Sequence, residues 1–140
     1  MPLVEEVVCR GEKGRVFSGY YQRITLNDCD DVVIRNARVG EVVANSSRLT
    51  ILHSKLGGGA FGLSVTGSEV EITATHIEGE VALIASRSRL DMAAVSMIGR
   101  KVSVEGRRRS DLLFSLSTLS SPLHQGPIHG YFTVDSANPL

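Results

Sequence analysis

Residues 68–97 read SEVEITATHIEGEVALIASRSRLDMAAVSM and contain two copies of one pattern. In each copy apolar residues alternate with other residues, a short turn follows, and the alternation resumes. Alternation with a period of two indicates β-strand, because successive side chains of a strand point to opposite faces. The copies begin at Val70 and Leu90, so the repeat is about twenty residues long.

The same pattern occurs five times along the chain. With the first residue of each copy numbered zero, apolar residues stand at positions zero, two and seven, and an apolar or small residue stands at position five. The first positions of successive copies lie 17 to 22 residues apart. The five sets are Val32, Ile34, Ala37 and Val39; Leu49, Ile51, Ser54 and Leu56; Val70, Ile72, Thr75 and Ile77; Leu90, Met92, Val95 and Met97; and Leu112, Phe114, Ser117 and Leu119. Two residues before each set comes a short turn-forming residue: Asp30, Ser47, Ser68, Ser88 and Ser110.

Three short strands in each repeat predict an all-β fold, a single-stranded right-handed parallel β-helix with about five coils. The third strand is indicated by another alternating pair ahead of each set: Ile24 and Leu26, Val42 and Ala44, Leu63 and Val65, Leu83 and Ala85, and Val102 and Val104. One coil cannot bury its inward side chains, whereas coils stacked at about 4.8 Å pair every strand with its equivalents above and below.

A β-sandwich or jelly roll is the main alternative, since it also contains many short strands. The fixed internal offset of the repeat and the lack of Asn-Gly or Asp-Gly hairpin turns favour the β-helix. A left-handed β-helix has a six-residue repeat, which these spacings do not fit. We interpret residues 1–140 as one domain, with residues 1–23 and 121–140 as irregular segments that cap the stack or pair with another chain.

Composition limits the classes of partner. Fifteen basic and fifteen acidic residues give a net charge of zero, which favours neither nucleic acid nor a membrane surface as a partner. The first residues lack the basic region and apolar run of a signal peptide, so we expect a soluble, cytoplasmic protein. Two cysteines do not make a disulfide framework, and we expect Cys9 and Cys29 to be reduced thiols rather than a bridge.

The repeats over roughly residues 24–121 resemble the pectin-lyase-like superfamily of right-handed β-helices, by repeat pattern and not by a sequence motif. That superfamily includes polysaccharide lyases, polygalacturonases, phage tailspikes and non-catalytic structural proteins, so the resemblance implies a fold but no single activity. Its polygalacturonases carry a neighbouring Asp pair and a His-Gly step, to which Asp30-Asp31 and His129-Gly130 are superficially similar. The Arg-x-Lys motif of those enzymes is absent. An acidic polysaccharide is the ligand class that the resemblance implies.

Two sets of residues are weak candidates for ligand binding. Asp30 and Asp31 are the residue type that glycoside hydrolysis uses, although Asp is also favoured in turns. Arg107, Arg108 and Arg109 form a basic patch suited to a sulfate, a phosphate or an acidic partner, or a solvated turn. No nucleophile motif and no zinc-ligand spacing is present, so we predict no catalytic residue, no metal and no cofactor.

Two further features stand apart from the packing pattern. One outward position of the repeat, its sixth, is polar and partly basic, and is either a solvated face or a stripe for an anionic ligand. The turns Gly57–Gly62 and Glu105–Asp111 are longer than the repeat requires, and such insertions often carry function. The sixth-position residues are Arg38, Lys55, His76, Ser96 and Thr118.

The leading functional hypothesis is a non-catalytic scaffold or interaction protein that assembles as a homo-oligomer. Its motivation is that solenoid ends need covering and that outward positions near both ends, Val33 and Leu113, are apolar. One alternative is a polysaccharide-binding or polysaccharide-cleaving protein of the pectin-lyase-like type. Another is a polymer-forming cytoskeletal β-helix similar to bactofilins, whose repeat is shorter and more regular.

Overall fold

A computed structural model describes the backbone of residues 4–107, 109–120, 123–125 and 129–134, and the side chains of residues 6–107, 109–113 and 115. Within these residues no helix has the length and apolar character needed to cross a membrane. The strands that the structure describes are β1 (Val4–Arg10), β2 (Val16–Asn27), β3 (Val32–Asn45), β4 (Arg48–Leu52), β5 (Lys55–Gly57), β6 (Phe61–Thr66), β7 (Glu69–Thr73), β8 (His76–Ser86), β9 (Arg89–Ala93), β10 (Ser96–Arg107), β11 (Asp111–Ser120), β12 (Leu123–Gln125) and β13 (His129–Val134).

The strands form a parallel β-solenoid of about five turns, with successive turns about 20 residues apart. Successive coils pair with each other in parallel. The register is the one that the repeat predicts, because Ile34 pairs with Ile51, Ile51 with Ile72, and Ile72 with Met92. The parallel β-helix inferred from the sequence is therefore confirmed.

The inward columns of the coils make one continuous core. Ile34, Ile51, Ile72 and Met92 are each fully buried, as are Ile24 and its partners in the third-strand column. The third-strand register of the upper coil differs from the sequence alignment, because Val104 rather than Val102 pairs with Leu83. At a register shift between Gly99 and Val102 the upper strand accommodates one extra residue, because Gly99 pairs with Gly79 and Val102 with Val81.

The stack begins earlier than the clean repeats indicate. β1 and the first part of β2 occupy residues 4–10 and 16–23, and both pair in parallel with the next coil, so this segment is regular where the sequence indicated irregularity. At this end of the core the Phe17 side chain is buried, with the Arg15 guanidinium 5.0 Å from its ring centroid and the Tyr21 ring edge-on at 5.9 Å. The short strands β12 and β13 likewise continue the parallel pairing beyond residue 121.

A column of buried serines connects the coils at one corner. The backbone N–H of Ser47 donates to Ser68 Oγ at 3.1 Å, and the N–H of Ser68 donates to Ser88 Oγ at 3.1 Å. Each of these hydroxyls in turn donates to a carbonyl two residues earlier in its own coil. The serines that the sequence marked as turn formers are thus buried bridges between coils.

The lowest member of this serine column is Cys29, not the predicted Asp30. The Cys29 N–H donates to Ser47 Oγ at 3.0 Å, and its side chain is buried. Two residues, Asp30 and Asp31, lie between Cys29 and Val32, where the coils above have one residue in the same place, and this displaced the alignment by one position. Cys29 is also bonded to Cys9 of the coil below, so the expectation of two reduced thiols is wrong.

Replacing Ser68 with Ala is expected to lower the free energy of unfolding by about 1–3 kcal/mol, because the buried N–H of Ser47 loses its acceptor. Urea unfolding followed by circular dichroism measures the change. The control is Ser64→Ala, in the neighbouring strand β6, where the side chain is half-buried and on the outer face. Equal midpoints for the two variants would mean that the serine column contributes nothing to stability.

Two corners of each coil are turned by a single residue with positive φ. One corner uses Asn36, His53, Ala74 and Ala94, and the other uses Asp28, Ser46, Gly67, Arg87 and Arg109. Such residues reverse the side-chain alternation without a long loop. At these corners the backbone N–H donates to the coil above, for example from His53 to the Thr73 carbonyl at 3.1 Å.

The turn Gly57–Gly62 is held against the coil above. The Gly59 carbonyl accepts hydrogen bonds from the Glu80 N–H at 3.1 Å and from Arg100 Nη2 at 2.8 Å. Gly57 has φ +112°, and a Cβ at this position would overlap the carbonyl oxygen of Glu78. Close approach of two backbones therefore accounts for the glycine at position 57.

Candidate functional site

A shallow groove of about 740 Å³ runs along the helix axis where the first strand of each coil turns into the second. We call it the axial groove. One wall is the row of corner residues with positive φ, and the other is the outward row at the start of the second strands. The corner wall contains Asn36, His53, Ala74 and Ala94, and the strand wall contains Tyr20, Arg38, Lys55, His76 and Ser96.

The strand wall is held in register by the parallel pairing of the coils. Arg38 pairs with Lys55, Lys55 with His76, and His76 with Ser96, so successive side chains stand about 4.8 Å apart. This confirms the sixth-position column of the sequence repeat, and the register adds Tyr20 below Arg38. The Tyr20 side chain is 38 % exposed.

Three residues of the strand wall, Arg38, Lys55 and His76, form what we call the basic column. Among the residues that the structure describes, neither Arg38 nor Lys55 forms an ion pair. His76 Nε2 lies 3.6 Å from the Glu78 carboxylate on the same strand. The positive charges of Arg38 and Lys55 in adjacent coils repel each other, so their pairing costs stability.

Other outward columns of the same fold alternate in charge. Arg23 lies between Glu6 and Glu41, and the hydrogen bond and charge of Glu41 raise the pKa of the Arg23 guanidinium. Arg48 lies between Asp30 and Glu69 in the same way, at 3.9 and 3.6 Å. The basic column therefore departs from a charge arrangement that the fold uses elsewhere.

Local sequence explains the shape of the groove. At each corner the residue after the positive-φ position turns inward, and Ser54 and Thr75 occupy that place. The Ala37 N–H donates to Ser54 Oγ at 3.2 Å, which ties the corner of one coil to the next. Because Ala74 and Ala94 have short side chains, the upper part of the corner wall is low and the groove stays open there.

No protein-family model, curated protein or solved structure matches this chain. The chemistry of the site therefore follows from its own residues.

The structure places the predicted candidates Asp30 and Asp31 outside the axial groove. Both are exposed, Asp31 has a positive φ, and the Asp31 N–H donates to Asp30 Oδ1 at 3.0 Å. This is the local hydrogen bonding of a turn. The Asp30 carboxylate stands at the other corner of the coil, 3.9 Å from Arg48 Nε.

The second predicted set, Arg107 to Arg109, is not brought together with the aspartates. Arg107 ends β10 and forms an ion pair with Glu105, and Arg109 is an exposed corner residue with positive φ. Arg108 lies outside the described residues. The coil register places this segment about four coil spacings, roughly 19 Å, above Asp30 and Asp31. Among the described residues no group of three or more potential metal ligands occurs.

The lower end of the solenoid is a second surface of interest. β1 pairs on one side with β2, and within the described residues its other side has no strand partner. We call this side the open edge. Along it the outward residues Glu6, Val8 and Arg10 are exposed, and Val8 is 41 % exposed. Val16 of the same coil is 50 % exposed and stacks below Val33.

Sequence reasoning found the basic column but missed the groove. The corner residues Asn36 and His53 carry no periodic signal, because each is a single residue that interrupts the alternation. Asn is a residue that tolerates positive φ, which was the available hint at position 36. The sequence indicated that this end of the stack needs covering, but the strand that forms the open edge, β1, was missed because residues 4–10 precede the first clean repeat.

Proposed function

We propose that this protein is a non-catalytic β-helical scaffold or interaction protein that self-associates through its first coil. The observation that carries the proposal is the open edge of β1. An unpaired strand edge exposes backbone hydrogen-bond donors and acceptors. Such an edge pairs with another strand unless it is covered or its charged side chains prevent the pairing. Covering it with a second copy also removes the exposed Val8 side chain from water.

The backbone of β1 is directed suitably for this pairing. Arg10 pairs with Asn27 above it, and the Asn27 carbonyl accepts a hydrogen bond from the Gly11 N–H at 2.9 Å. In a parallel ladder one residue of each pair forms hydrogen bonds with the two neighbours of its partner. Here that residue is Asn27, on the upper strand, so the backbone groups of Arg10 itself are not used in the pairing with β2. The polar backbone groups of Glu6, Val8 and Arg10 therefore point away from the stack, toward the proposed second copy.

The side chains of β1 are complementary to a second β1. A two-fold axis makes two identical strands antiparallel, and with Val8 on the axis Glu6 lies opposite Arg10 of the second copy. Each outward residue then meets an outward residue, and two Glu–Arg pairs flank a Val–Val contact. Arg10 of the second copy would also extend the alternating column of Glu6, Arg23 and Glu41 by one cation.

Sedimentation velocity at micromolar concentration is expected to give a dimer. Reversing one charge, as Arg10→Glu or Glu6→Arg, places like charges opposite each other twice and is expected to weaken the dimer by about tenfold or more. A one-to-one mixture of these two variants restores both ion pairs. The mixture is therefore expected to form a heterodimer where each variant alone is monomeric.

The matched control is Lys101→Glu, an exposed charge reversal away from β1, which is expected to leave the dimer intact. A monomeric wild type at micromolar concentration would refute the self-association. A dimer that is unaffected by either β1 variant would move the interface to another surface.

We also propose that the chain is a member of the pectin-lyase-like superfamily. Such membership implies that the coil is right-handed. Parallel crossover connections are right-handed in nearly all known cases, which supports the handedness. The polysaccharide-cleaving alternative is tested with a panel of acidic polysaccharides, with and without calcium. Any cleavage that survives Asp30→Asn with Asp31→Asn would exclude those carboxylates from the chemistry. The cytoplasmic location stays a prediction.

A further inference from the structure

We infer that the axial groove is a binding site for a tetrahedral oxyanion, the phosphate or sulfate ester of a small molecule. The anion would sit between the basic column and the corner wall, held by Arg38 and Lys55. This inference does not depend on self-association, since the groove residues lie outside β1.

The positive charge of the groove indicates that its ligand is an anion. Arg38 and Lys55 are both exposed, stand one coil spacing apart, and form no ion pair within the described residues. The acidic residue nearest to the column is Glu78, which lies beside His76 at the next level. An anion between Arg38 and Lys55 would convert their mutual repulsion into attraction to a shared ligand.

The position of the donors favours a tetrahedral group over a carboxylate. Arg38 and Lys55 approach from the strand wall, and Asn36 and His53 stand at the same two levels on the corner wall. Donors from two walls meet oxygens that diverge in several directions, as they do in phosphate and sulfate. A carboxylate has both oxygens in one plane, and one guanidinium satisfies it in a side-by-side geometry.

The remainder of the groove has room for the uncharged part of the ligand. Above Lys55 the walls carry Ala74, Ala94 and Ser96, and below Arg38 the exposed Tyr20 ring closes the row. The groove extends over five coil levels, roughly 19 Å. Its volume of about 740 Å³ lies within the range of small-molecule sites.

Three ligands with one sugar body test the anion class: glucose 6-phosphate, glucose 6-sulfate and glucuronate. Binding is followed by amide chemical shifts in a titration of the full chain. At least one of the two esters is expected to bind about tenfold or more tightly than glucuronate, with shifts at residues 36–38 and 53–55. The ester that binds with the higher affinity shows whether the site prefers a phosphate or a sulfate group.

The variant Arg38→Gln with Lys55→Gln is expected to weaken ester binding by about tenfold or more. The matched control, Arg87→Gln with Lys101→Gln, removes the same charge from exposed positions outside the groove and is expected to leave binding unchanged. Glucuronate binding as tight as that of the esters would refute the tetrahedral anion. Equal losses in both variants, or no saturable binding below about 10 mM, would refute the site itself.

Discussion

Removing the Cys9–Cys29 bond is expected to lower the free energy of unfolding by about 3 kcal/mol. The bond closes a loop across a sequence separation of 20 residues, and its loss returns that loop entropy to the unfolded chain. The bond also links β1 to the next coil. Within the described residues β1 has a strand partner on one side and none on the other. Edge strands with few neighbours open first, so amide exchange of residues 6–10 should accelerate more than that of the central coils.

The variant Cys9→Ala with Cys29→Ser isolates the bond. Serine at position 29 is the residue that the buried serine column uses at positions 47, 68 and 88, so the hydrogen bonding of that corner is retained. Urea unfolding of the wild type with and without reductant, beside this variant, measures the effect. Reductant should destabilise the wild type and leave the variant unchanged. Equal stability of oxidised and reduced wild type would show that the bond does not support the first coil.

The disulfide also bears on the compartment in which the protein works. Disulfides persist in oxidising environments and are rare in the cytosol. An oxidising compartment and the cytoplasmic location expected from the sequence are therefore two alternatives, and the location stays a prediction. Mass measurement of alkylated protein from its native source would decide between the two.

Replacing Gly57 with Ala is expected to lower the free energy of unfolding by about 2–5 kcal/mol. Two effects add. The backbone at Gly57 has φ +112°, which residues with a Cβ rarely adopt, and the new methyl group would overlap the Glu78 carbonyl oxygen. Because Gly57 pairs with Glu78 in the adjacent coil, relief requires the two coils to separate locally.

Gly59→Ala is the matched control two residues away. Gly59 lies in the same turn, its φ is outside the positive region, and a methyl group added there would meet no atom within 4 Å. Thermal unfolding of the two variants should therefore differ clearly, with Gly57→Ala melting far lower. Similar melting temperatures would show that the turn tolerates a side chain at both positions, and that the coils are not in close contact there.

Much of the fold was predictable from periodicity. Inward residues recur at fixed steps because each coil must present the same face to the core, so Ile34, Ile51 and Ile72 could be aligned from their spacing. The basic column could be aligned for the same reason, since Arg38, Lys55 and His76 keep one offset from those residues. The predicted candidates Asp30, Asp31 and Arg107 were chosen by composition, and the structure places the two aspartates in a turn and Arg107 at the end of β10, all outside the groove.

Other features depend on how the corners turn. The position of Cys29 in the serine column could not be aligned, because the turn Asp30-Asp31 has one residue more than the same turn in the coils above. The groove arises because single positive-φ residues at the corners place Asn36 and His53 opposite the basic column. A corner of one residue interrupts the alternating pattern and leaves no periodic signal of its own.

Repetition along the chain specifies the coil, its length, the core columns and the basic column of Arg38, Lys55 and His76. These features can be read in one dimension, because every coil places the same residue types at the same steps. Folding in three dimensions is what brings Cys9 to Cys29, leaves β1 with an open edge, and sets two rows of side chains around a groove. Each of these depends on the path of the chain around the corners, which local residue preferences specify only in part.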